Sequence, residues 1–380
     1  MHLVDITMFY AAEGGGVSTY LNAKARWLAR RRMAHTIVSP GVPADCRDRG
    51  LRHVPGLAVP GLHGYRWPRS VGSAARVLRA LAPGLIEVGD AGPAALAALR
   101  VGRQHGIPTV AFYHSDLPQL VRNRLGTLAE AGARQYLGWL YPQFDLVLAP
   151  SRLMVQQLAS LGIDGAVHQP LGIDLEVFNP ARRIETLRQH LRLPADTRLL
   201  VYAGRFTPEK KIDLLIAAVR KLGRPYHLLL VGGGAALPRY PQISTIAFRR
   251  DQRSLARLLA SCDLMVHPGD CETFGLIVLE AMACATPVLG VRGGAVAELV
   301  ERDSGFLVTP NCVDSLCAGI ETAYQEGIHR MAERGRLARR QVERQFDWNR
   351  ILAQLLRRYA GLLDARARSE LDAHSLYLPE

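Results

Sequence analysis

Residues 263–291 read DLMVHPGDCETFGLIVLEAMACATPVLGV. A short apolar run, 263–268, ends at a proline and gives way to a polar loop. An apolar segment of helical length follows over 274–284, and a second short apolar run occupies 286–291. The two short runs lack the alternation of a half-exposed strand, so they are expected in a parallel sheet covered on both faces. Strand, helix and strand within thirty residues make a βαβ unit.

The same alternation extends outward in both directions. Strands are expected at 2–9, 35–39, 84–88, 107–113 and 145–149, with helices at 17–32, 92–104, 119–140 and 151–161. In the second half, strands are expected at 198–204, 226–234, 243–248, 263–268, 286–291 and 305–308, with helices at 211–222, 251–261, 274–284 and 295–301. Two βα series in succession, in a chain of 380 residues, imply two doubly wound Rossmann-like α/β domains facing each other across a cleft. The boundaries are expected at 1–172 and 173–347. Residues 348–380 are read as a last helix that returns to the first domain, followed by a tail.

A hydrophobic share of 48% against 21% charged residues belongs to a folded chain. No apolar run approaches the ~18 residues of a membrane span. The chain opens on a strand rather than on a secretion signal, and a cytoplasmic protein is expected. The six cysteines form no CxxC pair and are read as structural thiols. Net charge is +13, and residues 1–170 hold 18 Lys and Arg against 10 Asp and Glu. Two stretches, 18–32 and 63–82, contain bases and no acid. They point to an anionic partner, either a phosphorylated sugar or the surface of an anionic membrane. No nucleic-acid module accompanies the charge, so nucleic acid is not expected as a partner.

Ligands of doubly wound domains sit beyond the carboxyl ends of the strands. After strand 198–204, Arg205 offers a planar fork of donors and Lys210 a compact charge, a pair suited to neutralising a diphosphate. Gly233, in Gly232-Gly233-Gly234, lets backbone approach a ligand closely. Glu272 precedes the helix and Glu280 lies well inside it, so the two reach different parts of one extended ligand. The amides near Phe274, Gly275 and Leu276 open the helix and form a seat for phosphate. Glu280 stands in an apolar helix, where a bare carboxylate is costly until ligand hydroxyls bond to it.

In the first half, Gly14, Gly15 and Gly16 join strand 2–9 to helix 17–32, as a plain βα turn or a loop facing the ligand. His114 and Asp116 follow strand 107–113 at its carboxyl end, with Asp116 either orienting the histidine or touching a second substrate. Ser151 reads as a helix cap. No Asp-x-Asp occurs, and no metal is expected.

The Glu272-to-Glu280 spacing enclosing Phe274-Gly275 resembles the signature of family 4 retaining glycosyltransferases of the GT-B fold. Gly204-Arg205 with Glu209-Lys210, Gly293-Gly294 ahead of Glu298, and Asp303-Ser304-Gly305 add to it. Thr273 and Ala285 depart from the family's usual glycines, and Lys211 stands at another. The resemblance implies transfer of a hexose, mannose or glucose, from a GDP- or UDP-sugar to an acceptor hydroxyl on a lipid or glycan. It implies that Glu272 contacts the donor sugar, Glu280 the ribose, and Arg205 with Lys210 the diphosphate. It also implies that His114 meets the transferred sugar, that Gly15 and Gly16 face the donor, and that no cofactor is used. A nucleotide-sugar epimerase and a catalytically silent nucleotide-sugar binding subunit are the alternatives.

Overall fold

The computed structural model describes residues 1–10, 15–46, 48, 50–58, 65–247 and 251–375, with side chains as far as residue 365. In chain order the first part runs β1 (His2–Ile6), α1 (Gly16–Arg30), β2 (Ala34–Ser39), β3 (Leu51–His53), β4 (Gly56–Ala58), β5 (Arg66–Pro68), α2 (Val71–Leu81), β6 (Leu85–Val88), α3 (Pro93–His105), β7 (Thr109–Phe112), α4 (Leu117–Leu125), α5 (Thr127–Leu140), β8 (Leu146–Ala149), α6 (Arg152–Ala159) and β9 (Val167–His168). The second part runs α7 (Leu187–His190), β10 (Arg198–Phe206), α8 (Ile212–Leu222), β11 (Tyr226–Gly234), β12 (Ile243–Ala247), α9 (Gln252–Ser261), β13 (Leu264–His267), α10 (Leu276–Ala283), β14 (Val288–Val291), α11 (Val296–Leu299), β15 (Gly305–Val308), α12 (Val313–Gln325), α13 (Ile328–Gln345) and α14 (Trp348–Ser375).

Two compact units divide the chain: Met1–Pro170 with Asn349–Glu380, and Leu171–Trp348. The first holds a parallel sheet ordered β3-β2-β1-β6-β7-β8-β9, the second a parallel sheet ordered β12-β11-β10-β13-β14-β15. In each, the order reverses beside the first strand, at β1/β6 and at β10/β13, and such a switch point opens a crevice at the carboxyl edge. The apolar runs behave as their composition dictates. Val4, Ile6, Ile86 and Val88 are buried in one core, and Leu200, Leu228, Leu264 and Leu289 in the other. Each such side chain contributes roughly 1.5–3 kcal/mol by leaving water.

One expected helix is divided. The segment read as one helix over 119–140 is two, α4 and α5, because Gly126 at φ 85° ends one and begins the other. Residues 66–68 form β5, paired antiparallel with β4 outside the main sheet, and 71–81 form α2. Residues 63 and 64 of that basic stretch, together with Glu13, Gly14 and Phe248, lie outside the described residues.

In the other basic stretch, 18–32, Arg26, Arg30, Arg31 and Arg32 are exposed, but the large apolar side chains among them are not. Tyr20, Leu21, Trp27 and Leu28 are buried. Lys24 is buried as well, its ammonium 2.7 Å from Asp5, 3.2 Å from Glu87 and 3.0 Å from the Tyr359 hydroxyl. Tyr359 and Tyr20 both donate to Glu87, and His35 meets Asp5 at 2.6 Å. Burial alone would raise the Asp5 carboxyl, but the charges of Lys24 and His35 hold it at about 2. Helical periodicity turns this lysine inward, and the acids that receive it come from β1 and β6. Tyr359 brings α14 into the same cluster, and Trp27 donates to Asn349 at 3.1 Å beside it.

Candidate active site

At the carboxyl edge of the second sheet, β10 and β11 run side by side to their ends, with Arg205 opposite Gly233. The strand continues through Phe206, so Arg205 is an exposed residue of the strand's end rather than of a loop. Gly232 and Gly234 are required by this pairing, since a Cβ on either would strike the Gly204 or Phe206 carbonyl. A Cβ on Gly233 would meet nothing, so its backbone is the part of the triplet open to a ligand.

Between β13 and α10 the loop of Glu272 is clamped from two sides. Gly294, at φ 59°, has no room for a Cβ, which would lie 2.8 Å from the Glu272 amide nitrogen. Ala295 donates its N–H to the Glu272 carbonyl at 2.8 Å. From the other side Lys210 Nζ reaches Glu272 Oε1 at 2.5 Å, and His267 Nε2 meets the same oxygen at 2.9 Å. Burial would raise the Glu272 carboxyl, but Lys210 and the His267 bond override it and hold the group far below the usual carboxylate range. Glu272 is therefore a fixed anion, set to accept hydrogen bonds.

The sequence reading missed His267 as part of this arrangement. Its ring is buried, and its Nδ1 has no hydrogen-bond partner among the described residues. Asn311 was missed too, and Lys211 was singled out only as standing at a usual family glycine. Lys211 adopts φ 51°, the conformation a glycine would supply, and its ammonium bonds to Asp270 at 2.5 Å and to the Asn311 side chain. Asn311 also donates to Asp270 at 3.0 Å, tying the loops after β10, β13 and β15 together. Non-glycine residues at positive φ were the available signal, but φ cannot be read from one sequence.

Helix α10 begins at Leu276, later than expected. Gly275 at φ 97° is its N-cap, and Phe274 is buried against Phe346 with ring centroids 6.2 Å apart. The first-turn amides at Leu276 and Ile277 are thus the groups without intrahelical acceptors, and Phe274 serves as a packing anchor for the turn. One turn further in, Glu280 is 8% exposed. No hydrogen-bond donor or cation meets its carboxylate among the described residues, and burial pushes it up to about 8.

In the first unit His114 sits just beyond β7, stacked on Phe112 at 4.1 Å and beside Tyr20 at 5.2 Å. Burial lowers its imidazole to about 3. At neutral pH it is an uncharged hydrogen-bonding group and not a proton reservoir. Asp116 does not orient it, because that carboxylate caps α4 at the Gln119 amide, 3.2 Å away, and accepts from the Tyr113 hydroxyl. Gly15, at φ 133°, is the N-cap of α1, which starts at Gly16, and a Cβ on it would lie 3.1 Å from the Tyr65 hydroxyl. Ser151 caps α6 as its sequence indicates.

Arg205, Lys210, Gly233, Glu272, Leu276 and Glu280 all belong to the second unit, while Gly15, Gly16 and His114 belong to the first. The family description "Glycosyl transferases group 1" matches residues 183–340, and "Glycosyltransferase Family 4" matches residues 14–177. A GDP-mannose-dependent alpha-(1-6)-phosphatidylinositol dimannoside mannosyltransferase of Mycobacterium tuberculosis is 32% identical over 376 residues, covering 94% of this chain and 95% of its own. The chain belongs to the family 4 glycosyltransferases of the GT-B fold. A GDP-mannose-dependent alpha-mannosyltransferase of Mycolicibacterium smegmatis is 29% identical to this glycosyltransferase, covering 89% of it and 92% of the relative. Sucrose-phosphate synthase from Thermosynechococcus elongatus has the same fold, with a TM-score of 0.81 at 21% identity over 96% of this chain and 100% of the other. Anabaena HepE in complex with UDP and glucose follows with 0.75 at 20% identity, over 95% and 99%.

Proposed function

We propose that this glycosyltransferase moves mannose from GDP-mannose to a hydroxyl of an anionic, lipid-borne glycan, with the anomeric configuration retained and no metal bound. The observation that carries the donor half is Glu280, a buried carboxylate without a partner among the described residues, one turn inside a helix whose first amides have no intrahelical acceptor. A ribose whose hydroxyls donate to Glu280 places its diphosphate toward those amides, where the helix N-terminus favours negative charge. Arg205 and Lys210 then supply the positive charge a metal ion would otherwise bring. Lys210, paired with Glu272, serves both diphosphate and carboxylate when the donor is bound. Glu272 accepts hydroxyls of the sugar.

The chemistry asked of these groups is electrostatic. The bond from the anomeric carbon to the diphosphate breaks while the acceptor oxygen attacks from the same face, and the acceptor's proton passes to the departing phosphate oxygen. Fixed donors around that oxygen stabilise the charge as it grows. Mannose and GDP are favoured by the relatives named above. The lipid-borne acceptor is favoured by the phosphatidylinositol mannoside substrate in one relative's name and by the exposed basic ribbon β4–β5. There Trp67 is 41% exposed opposite Leu57, with Arg66 and Arg69 exposed beside it. Thermal-shift titration with GDP-mannose and UDP-glucose tests the donor, because a ligand of the folded state raises the melting temperature. A larger rise with GDP-mannose supports the proposal. A rise with UDP-glucose alone replaces the donor, and none with either removes the reading.

A further inference from the structure

Helix α5 keeps an apolar stripe that no described residue covers. Leu128, Ala131, Gly132, Gln135 and Trp139 fall on one side of the helix by their spacing, and all five are exposed, Leu128 by 89% and Trp139 by 57%. No charged residue shares that side. The opposite side already carries the helix's packing. Leu137 and Leu140 are buried there, and the Tyr136 hydroxyl donates to the Ala91 carbonyl at 2.8 Å. The helix is thus apolar on two sides although folding needs only one. At its start, the turn at Gly126 leaves Leu125 74% exposed beside Leu128. Arg122 and Arg124 are exposed on the last turn of α4, and Arg134 is exposed further along α5. Glu130, 3.6 Å from Arg122, is the one acid in the hairpin sequence 117–140.

We propose that the α4–α5 hairpin is a membrane-docking element whose partner is the headgroup boundary of an anionic phospholipid bilayer. Leu125 and Leu128 enter the acyl edge at the corner, Trp139 lies along the headgroups, and Arg122 and Arg124 meet lipid phosphates. Apolar side chains flanked by cations are the combination that binds such a boundary. Charge separates this partner from a second copy of the chain. Two hairpins with an excess of arginine, in a chain of net charge +13, repel each other, whereas an anionic bilayer attracts them. The hairpin follows directly on the loop of His114, since α4 starts at Leu117, and docking by it would hold the chain at the bilayer that carries a lipid acceptor. That purpose rests on the lipid-borne acceptor proposed above; the exposed stripe does not.

The test is co-sedimentation of the full chain with phosphatidylcholine vesicles, with and without phosphatidylglycerol. Wild type should sediment with the anionic vesicles and be released by salt. Leu125→Asn with Leu128→Asn should lower the partition coefficient about tenfold or more, and Arg124→Glu should remove the preference for anionic lipid. All three side chains are exposed, so melting temperatures and the thermal shift with GDP-mannose should stay at wild-type values. Brominated lipids should quench wild-type tryptophan emission more than that of Trp139→Phe. Unchanged partitioning of the double variant overturns the proposal. So does a dimer in sedimentation velocity that the double variant dissolves, which would make a second copy the partner. Loss of the nucleotide shift in wild type would instead refute the donor reading and leave the vesicle result standing.

Discussion

Glu280→Gln should weaken nucleotide binding and change stability with a sign that depends on pH. Burial raises the Glu280 carboxyl from 4.5 to about 8. Below pH 4.5 the folded and unfolded chains both hold this proton, and the stability it contributes is complete. As pH climbs toward 8 the unfolded chain ionises while the folded chain must keep the proton or bury a charge, so that stability is lost. At ~1.4 kcal/mol per pH unit, the loss by pH 8 is at most about 5 kcal/mol. Glutamine cannot ionise, and its unsatisfied amide costs a pH-independent amount of about 1–3 kcal/mol. The variant should therefore be the less stable protein at pH 5 and the more stable one at pH 8, by roughly 2–4 kcal/mol. Urea unfolding without nucleotide, at several pH values between these, measures the crossing. GDP affinity gives the functional half. Ribose hydroxyls bond best to the ionised carboxylate, so wild-type affinity should rise from pH 6 to 8, while the variant binds weakly with little pH dependence. Stability curves that stay parallel across this range would refute the reasoning.

Arg205→Ala and Lys210→Ala should each reduce kcat/KM by about 2–4 kcal/mol of transition-state stabilisation, and Lys211→Ala by less, because Lys211 is occupied with Asp270 and Asn311. A more damaging Lys211→Ala would misplace the diphosphate in this loop. Transfer should survive EDTA, and a strict need for Mg²⁺ or Mn²⁺ would overturn the role given to the two cations. Lys24→Met should cost about 3–5 kcal/mol in melting experiments by removing the one ammonium that Asp5 and Glu87 share, and a neutral result would show the cluster to be unimportant for folding.

The parts of the molecule visible in the sequence were those carried by local pattern. The apolar runs at 198–204, 226–234 and 305–308 are strands, as short apolar segments between helices of a doubly wound fold are expected to be. The spacing of Glu272 and Glu280 places one carboxylate ahead of the helix and the other inside it. Pairings between distant residues left no local mark. Lys24 looks like one more base in a basic helix until Asp5, Glu87 and Tyr359 are brought to it from three other elements. His267 is an ordinary end-of-strand residue until the loop folds back and sets Glu272 against its ring. The short strands β3, β4, β5 and β9 fall below the length at which periodicity speaks, and the break at Gly126 was hidden because a single glycine is compatible with a continuing helix. Exposure was equally hidden: Trp27 and Trp139 both sit in helical sequence, and only the packing buries the first and leaves the second bare.

The central claim is a transfer of mannose, and product analysis tests it most directly. The chain is incubated with GDP-mannose and a phosphatidylinositol mannoside, and the lipid and the released nucleotide are followed by mass spectrometry, with the new linkage read by NMR. The account predicts one α-linked mannose added to the lipid for each GDP released, with no product from Glu272→Gln. Epimerised sugar formed without acceptor, or a β linkage in the product, would contradict it.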